Sequence, residues 1–158
     1  MFIETESEAD NCILPDTSIV LSVRYRGHIS MQENNLPGVV LSGIRKSAKN
    51  VHYAGQSGNL LVRFIPGGAA AFFSEPLNEV MDLSVSLAFL KNCSDISSLP
   101  DRLAACGTKE EKIARLEQML VLLQHGRRAK VAPLVGRLGT TKAAKAAACA
   151  GQGGNGDV

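Results

Sequence analysis

Apolar and polar residues alternate with a period of two from Ile19 to Arg26. Ile19, Leu21, Val23 and Tyr25 fall on one side, with Val20, Ser22, Arg24 and Arg26 on the other. Bounded by Pro15-Asp16 and Gly27, this pattern predicts a half-buried strand. Val39-Val40-Leu41 follows Pro37-Gly38 and ends at Gly43. Val51-His52-Tyr53 ends at Gly55, and Leu60 to Ile65 follows Gly58-Asn59 and ends at Pro66-Gly67-Gly68. Short strands separated by turn signals predict an antiparallel sheet or part of a barrel over roughly residues 13–66.

The period then changes. Ser74 is an expected N-cap, Glu75 and Pro76 suit a first turn, and Leu77, Val80 and Met81 follow at helical spacing. A second short helix is expected over 96–105, with Ile96, Leu99 and Leu103 on one face, Pro100 near the start and Gly107 as a stop. A third begins at Thr108-Lys109-Glu110-Glu111, which has the form of a capping box. Ile113, Leu116, Met119, Leu120 and Leu123 then make an apolar stripe, with Lys112, Arg115 and Glu117 turned away from it and Gly126 ending the helix.

The expected organisation is an acidic segment over 1–12, a folded domain over 13–126 and a basic Ala/Gly-rich tail over 127–158. The fold class is α+β: a small antiparallel sheet followed by about three helices and a disordered tail. Six of the eight residues 143–150 are alanine, so this stretch has helix propensity but no large apolar face to bury.

The chain has 158 residues, 45% hydrophobic and 20% charged, enough for one domain with its own core. With no Trp, 5 Phe and 2 Tyr, a stacking platform for single-stranded nucleic acid is not expected. No apolar run reaches the ~20 residues of a membrane span. The acidic N-terminus does not read as a signal or transit peptide, so the expected location is the cytoplasm. Net charge is +2 but uneven. Glu4, Glu6, Glu8, Asp10 and Asp16 crowd the start, and Arg127, Arg128, Lys130, Arg137, Lys142 and Lys145 the end.

Chemistry-bearing motifs are sparse. Cys12, Cys93, Cys106 and Cys149 lie far apart, which suits free thiols better than a disulfide framework or a zinc site. His28, His52 and His125 form neither H-x-H nor H-E-x-x-H, so no metal and no cofactor are expected. Pro66-Gly67-Gly68-Ala69-Ala70-Ala71-Phe72-Phe73 lacks the Lys and Ser/Thr of a P-loop. Its glycines read as a sharp turn from sheet to helix, with Phe72 and Phe73 filling the core. Nothing singles out a nucleophile, and no catalytic residue is assigned. Strand position and chemistry make Tyr25, His52 and Arg63 candidate ligand-lining groups, should the sheet enclose a cavity.

Several stretches resemble the sensor half of AraC-type transcription regulators: Ile13-Leu14-Pro15-Asp16 with a strand ending at Gly27, Ser42-Gly43-Ile44-Arg45, and above all Leu60 to Phe73 followed by Glu75-Pro76-Leu77-Asn78-Glu79-Val80. Leu99 to Ala105 and Glu111 to Leu123 resemble the two helices that follow in that family. The resemblance covers about residues 13–125 and implies a cupin-like sensing and dimerisation domain. The function it implies is regulatory, with a small-molecule effector and a homodimer formed through the helical end. The sequence departs from that family in two ways. Only about 12 residues precede the Ile13-Leu14-Pro15-Asp16 motif, which implies a shortened barrel. The residues after Gly126 lack the apolar pattern of a recognition helix, so DNA reading requires a helix-turn-helix half supplied elsewhere. The alternatives are a nucleic-acid-binding protein acting through its basic tail, and a small enzyme with a barrel site.

Overall fold

The computed structural model describes residues 1–89 and 94–124. Two antiparallel sheets lie face to face, and helices cover the outer face of the larger one. The strands are β1 (Phe2–Thr5), β2 (Ala9–Ile13), β3 (Val20–Arg26), β4 (Ile29–Met31), β5 (Asn34–Asn35), β6 (Val39–Ser42), β7 (Lys49–Tyr53), β8 (Ser57–Arg63) and β9 (Ser84–Ser86). The large sheet has the order β1-β8-β3-β6-β9 and the small one β2-β7-β4-β5, so the chain alternates between layers as it runs from β1 to β8. Helix α1 (Leu99–Ala104) follows, then α2 over 109–124.

The alternation along β3 sorts its side chains between two environments, because successive residues of a strand point to opposite faces. Leu21 and Val23 face the helices and are fully buried, while Ser22 faces the small sheet. Val39 and Leu41 of β6 and Leu60 of β8 join the helical side, where Phe64, Phe73, Leu87, Ile96, Leu99, Leu103 and Leu116 complete the main core. Phe64 meets Phe73 edge to face, with ring centres 5.9 Å apart. Residues 39–42 are buried at every position, because β6 is covered on both faces. A second, smaller cluster of Ile29, Val51 and Tyr53 lines the inner face of the small sheet. Full burial of a side chain such as Leu103 is worth about 1.5–3 kcal/mol.

Several expectations hold. Ile96, Leu99 and Leu103 share a buried face, and Pro100 sits in the first turn of α1. Thr108 Oγ1 accepts from the Glu111 N–H at 3.2 Å, and Glu111 Oε2 accepts from the N–H groups of Gly107 and Thr108 at 2.9 and 3.4 Å, which completes the capping box. The Pro66-Gly67-Gly68 turn is a packing device. Gly67 adopts φ +75°, and the chain then buries Ala69 and Phe73.

Other expectations give way. Residues 1–12, read as an acidic lead-in, supply β1 and most of β2, one strand to each sheet. The helix expected from Ser74 is replaced by two single 3-10 turns, Gly68–Ala71 and Leu77–Val80, followed by β9. The Ser74 hydroxyl turns to Glu75 instead of capping a helix, and Pro76 is extended. The described helices therefore number two, not three. Gly58-Asn59, read as a turn, lies inside β8.

The α2 stripe is rotated from its expected position. Ile113 is 42% exposed, whereas Lys112, expected to face away, is 9% exposed. Its ammonium donates to the Cys106 carbonyl at 2.6 Å and lies 5.2 Å from the centre of the Tyr25 ring. Lysine can bury its stem in this way when its head finds acceptors. Cys93, His125, Gly126, Cys149 and the tail expected over 127–158 lie outside the described residues.

Candidate functional site

Between the facing sheets lies a partly open cavity of about 160 Å³. On the large-sheet side it is walled by Val20 and Ser22 of β3, Val40 and Ser42 of β6, and Asn59 and Leu61 of β8. On the small-sheet side stand Ile13 of β2, Ile29 and Met31 of β4, and Val51 and Tyr53 of β7. The period of two explains this lining. The residues that alternate with Leu21, Val23, Val39, Leu41 and Leu60 must point inward, and here several of them are polar.

The lining serines take part in two sets of contacts, the second of which reaches Ser84 behind the wall. In the first, Ser22 donates to Asn59 Oδ1 at 2.9 Å across neighbouring strands. In the second, Ser42 and Ser84 share a hydrogen bond of 2.9 Å, and Arg45 Nη2 donates to their hydroxyls at 3.1 and 3.4 Å. Arg45 Nη1 lies 3.3 Å from Met31 Sδ on the opposite sheet. Burial lowers the pKa of the Arg45 guanidinium from its ordinary value, against the pull of the Asp82 carboxylate. Burial likewise raises that of the Tyr53 phenol.

The loop bearing Arg45 is held by its backbone. Asp16 and Arg45 exchange both main-chain hydrogen bonds, at 3.3 and 3.0 Å. Gly43 donates to the Leu83 carbonyl at 3.1 Å, and Asp82 donates to the Ile44 carbonyl at 2.7 Å. A Cβ at Gly43 would stand 1.9 Å from the Val80 carbonyl oxygen, so only glycine permits this approach.

The three residues expected to line a ligand site are not brought together. Arg63 stands at the cavity edge, mostly exposed, with Nη2 2.9 Å from Asp16 Oδ2. Tyr25 faces the helical layer. Its hydroxyl donates to Glu4 Oε1 at 2.6 Å, and its ring meets Phe2 edge to face. His52 lies outside the cavity lining, with Nε2 3.2 Å from Glu8 and Nδ1 2.8 Å from Asp10. These carboxylates address opposite ring nitrogens and so do not converge on one ion. Among the described residues no group of three His, Cys, Asp or Glu side chains is arranged to hold a metal. Cys12 and Cys106 are free thiols. Among the described residues, no helix is long and apolar enough to cross a membrane.

Ser42 and Arg45 belong to a segment picked out by resemblance, but the sequence assigned them no role, and Ser84 carried no signal. The serine closing the Val39-Val40-Leu41 run was the available hint.

Fold and cavity define a mixed α+β domain of two antiparallel sheets with two helices on one face. The chain belongs to the DUF6597 family, described as a domain of unknown function, which it matches over residues 1–86. That span runs from β1 to the end of β9 and so takes in both sheets and the cavity. No curated protein and no solved structure matches the chain.

Proposed function

We propose that this chain is the ligand-sensing, dimerising part of an AraC-type transcriptional regulator, with a small effector held between its two sheets and DNA reading supplied by a helix-turn-helix half elsewhere. The observation that carries this reading is the partly open, largely apolar cavity between the sheets with placed polar groups, the usual makeup of a small-molecule site. The connection from that site to the helices supports it. Ser84 bonds to Ser42 of the cavity wall, and Leu87, three residues on, is fully buried in the helical core. A ligand that moves β9 therefore pulls on the helices.

Self-association through the helical end is the second part of the reading. Val121 and Leu122 of α2 are exposed at 48% and 70%, and with Ala114, Glu117 and Gln118 they line a shallow groove. A mixed apolar and polar face of this kind suits pairing with a second copy.

Thermal-shift screening of the full chain against small molecules tests the sensing role. Val40→Phe, which fills the cavity from β6, is the control. Stabilisation of the wild type that disappears in the filled variant is the expected result. Compounds that stabilise both proteins equally, or a library that stabilises neither, would refute it. For association, light scattering should show a dimer that Val121→Glu with Leu122→Glu converts to a monomer. A wild type that stays monomeric at high concentration ends that part of the reading.

A further inference from the structure

Arg45 is a half-buried cation whose direct side-chain partners are all uncharged. Its side-chain contacts end on two serine hydroxyls and a thioether. Among the described residues no carboxylate lies within ion-pair distance of it. The carboxylates around it are already committed. Asp16 is held by Arg63 at 2.9 Å and accepts the Ser18 N–H at 3.1 Å. Asp82 is held by Lys49 at 3.6 Å and accepts the Lys46 N–H at 3.3 Å. A guanidinium carries five N–H donors in a planar fork matched to two oxygens of one acid group. Partly removed from water, it gains more from an anion than an exposed arginine does.

The rest of the cavity limits what that anion can be. Of the charged groups at its wall, Arg63 is paired with Asp16 and the Met1 ammonium donates to the Leu61 carbonyl, which leaves Arg45 to meet one acid group. The rest of the wall is mainly aliphatic, so the second charge of a phosphate or a dicarboxylate would be costly there. The volume, about 160 Å³, is close to that of a dry cavity known to accept a six-carbon ring, which sets a ligand of about six to eight non-hydrogen atoms.

We infer that the cavity takes a small monocarboxylate with an apolar body, its acid group against Arg45 and Ser42 and its body among Ile29, Val40 and Val51. This rests on the sensing role proposed for the same cavity and names the chemical class of its ligand. Binding replaces the Ser42–Ser84 hydrogen bond with bonds to the ligand, which places the signal on β9.

The test is an NMR titration of the full chain with 3-methylbutanoate, and in parallel with its neutral isostere 3-methylbutanamide. Saturable shifts at β6, β7 and β9 are expected, with the acid binding at least about tenfold tighter than the amide. Arg45→Met should bring the acid to the level of the amide. Arg45→Lys keeps the charge without the fork and should fall between the two, which covers the case in which Arg45→Met does not fold. Equal binding of acid and amide would overturn the anion assignment and leave the sensing role standing. Acid shifts confined to surface lysines, with β6 and β9 unmoved, would also overturn it. The sensing role falls separately, if the screen against Val40→Phe finds no cavity ligand of any class.

Discussion

Lys112 Nζ sits 5.2 Å from the centre of the Tyr25 ring, joining the first turn of α2 to the third strand across the main core. The same nitrogen donates to the Cys106 carbonyl, so one ammonium serves the loop, the helix and the sheet. Lys112→Ala removes the cation–π contact, the hydrogen bond and the buried stem together. It should cost about 2–3 kcal/mol in denaturant unfolding. Lys112→Met keeps most of the stem and should cost less. Equal losses would mean that the charge contributes nothing.

Tyr25 also links β3 to β1 through Glu4. The hydrogen bond from Tyr25 and then the contact with Lys109 hold the Glu4 carboxyl below its ordinary value of 4.5. A carboxyl with a lowered folded pKa contributes stability that is present above its unfolded value and lost as pH falls through the folded one. The stability difference between wild type and Glu4→Gln should therefore be full at neutral pH and shrink below about pH 4.5. A difference that stays constant from pH 7 to 3 would remove this contribution. Burial and the Glu4 carboxylate raise the Tyr25 phenol above its ordinary value of 10.0, so the wild type should also lose stability above pH 10, and Tyr25→Phe should lose less.

The capping box makes a local prediction. Thr108→Ala leaves the Glu111 N–H without its acceptor at the start of α2. The expected loss is about 1 kcal/mol, read from the urea midpoint at constant slope. Thr108→Ser should retain most of the wild-type stability.

Two glycines separate steric from conformational need. Gly43→Ala drives a methyl group into the Val80 carbonyl oxygen, 1.9 Å away, and should cost about 3 kcal/mol, the upper end of the usual overpacking range. Gly67 has open space around its missing Cβ but adopts φ +75°. Gly67→Ala should therefore cost only about 1–2 kcal/mol, from backbone strain alone. Thermal unfolding of both variants checks the order. The reverse order would contradict the packing at the Arg45 loop.

The elements legible in the sequence are those whose signal is local. Leu21 and Val23 announce β3, Val39 to Leu41 announce β6, and Thr108 with Glu111 marks the start of α2, because period and cap are properties of neighbouring residues. The β4–β5 hairpin was hidden for a local reason of another kind. Its turn residues Gln32 and Glu33 both take positive φ, 48° and 68°, where asparagine and glycine are the usual signal.

What the sequence determined by itself is which residues are apolar at strand or helix spacing, and hence a sheet followed by helices. Tertiary structure alone decided that Glu4, Asp10 and Asn11 lie in strands, since β8 and β7 supply the ladder partners that an acidic stretch does not advertise. It also decided that Lys112 turns inward, because an aromatic ring and a free carbonyl wait there. The cavity belongs to the same class. Arg45 and Ser84, 39 residues apart, meet only because β6 and β9 pair, and a space between sheets is a property of two facing layers, not of any run of residues.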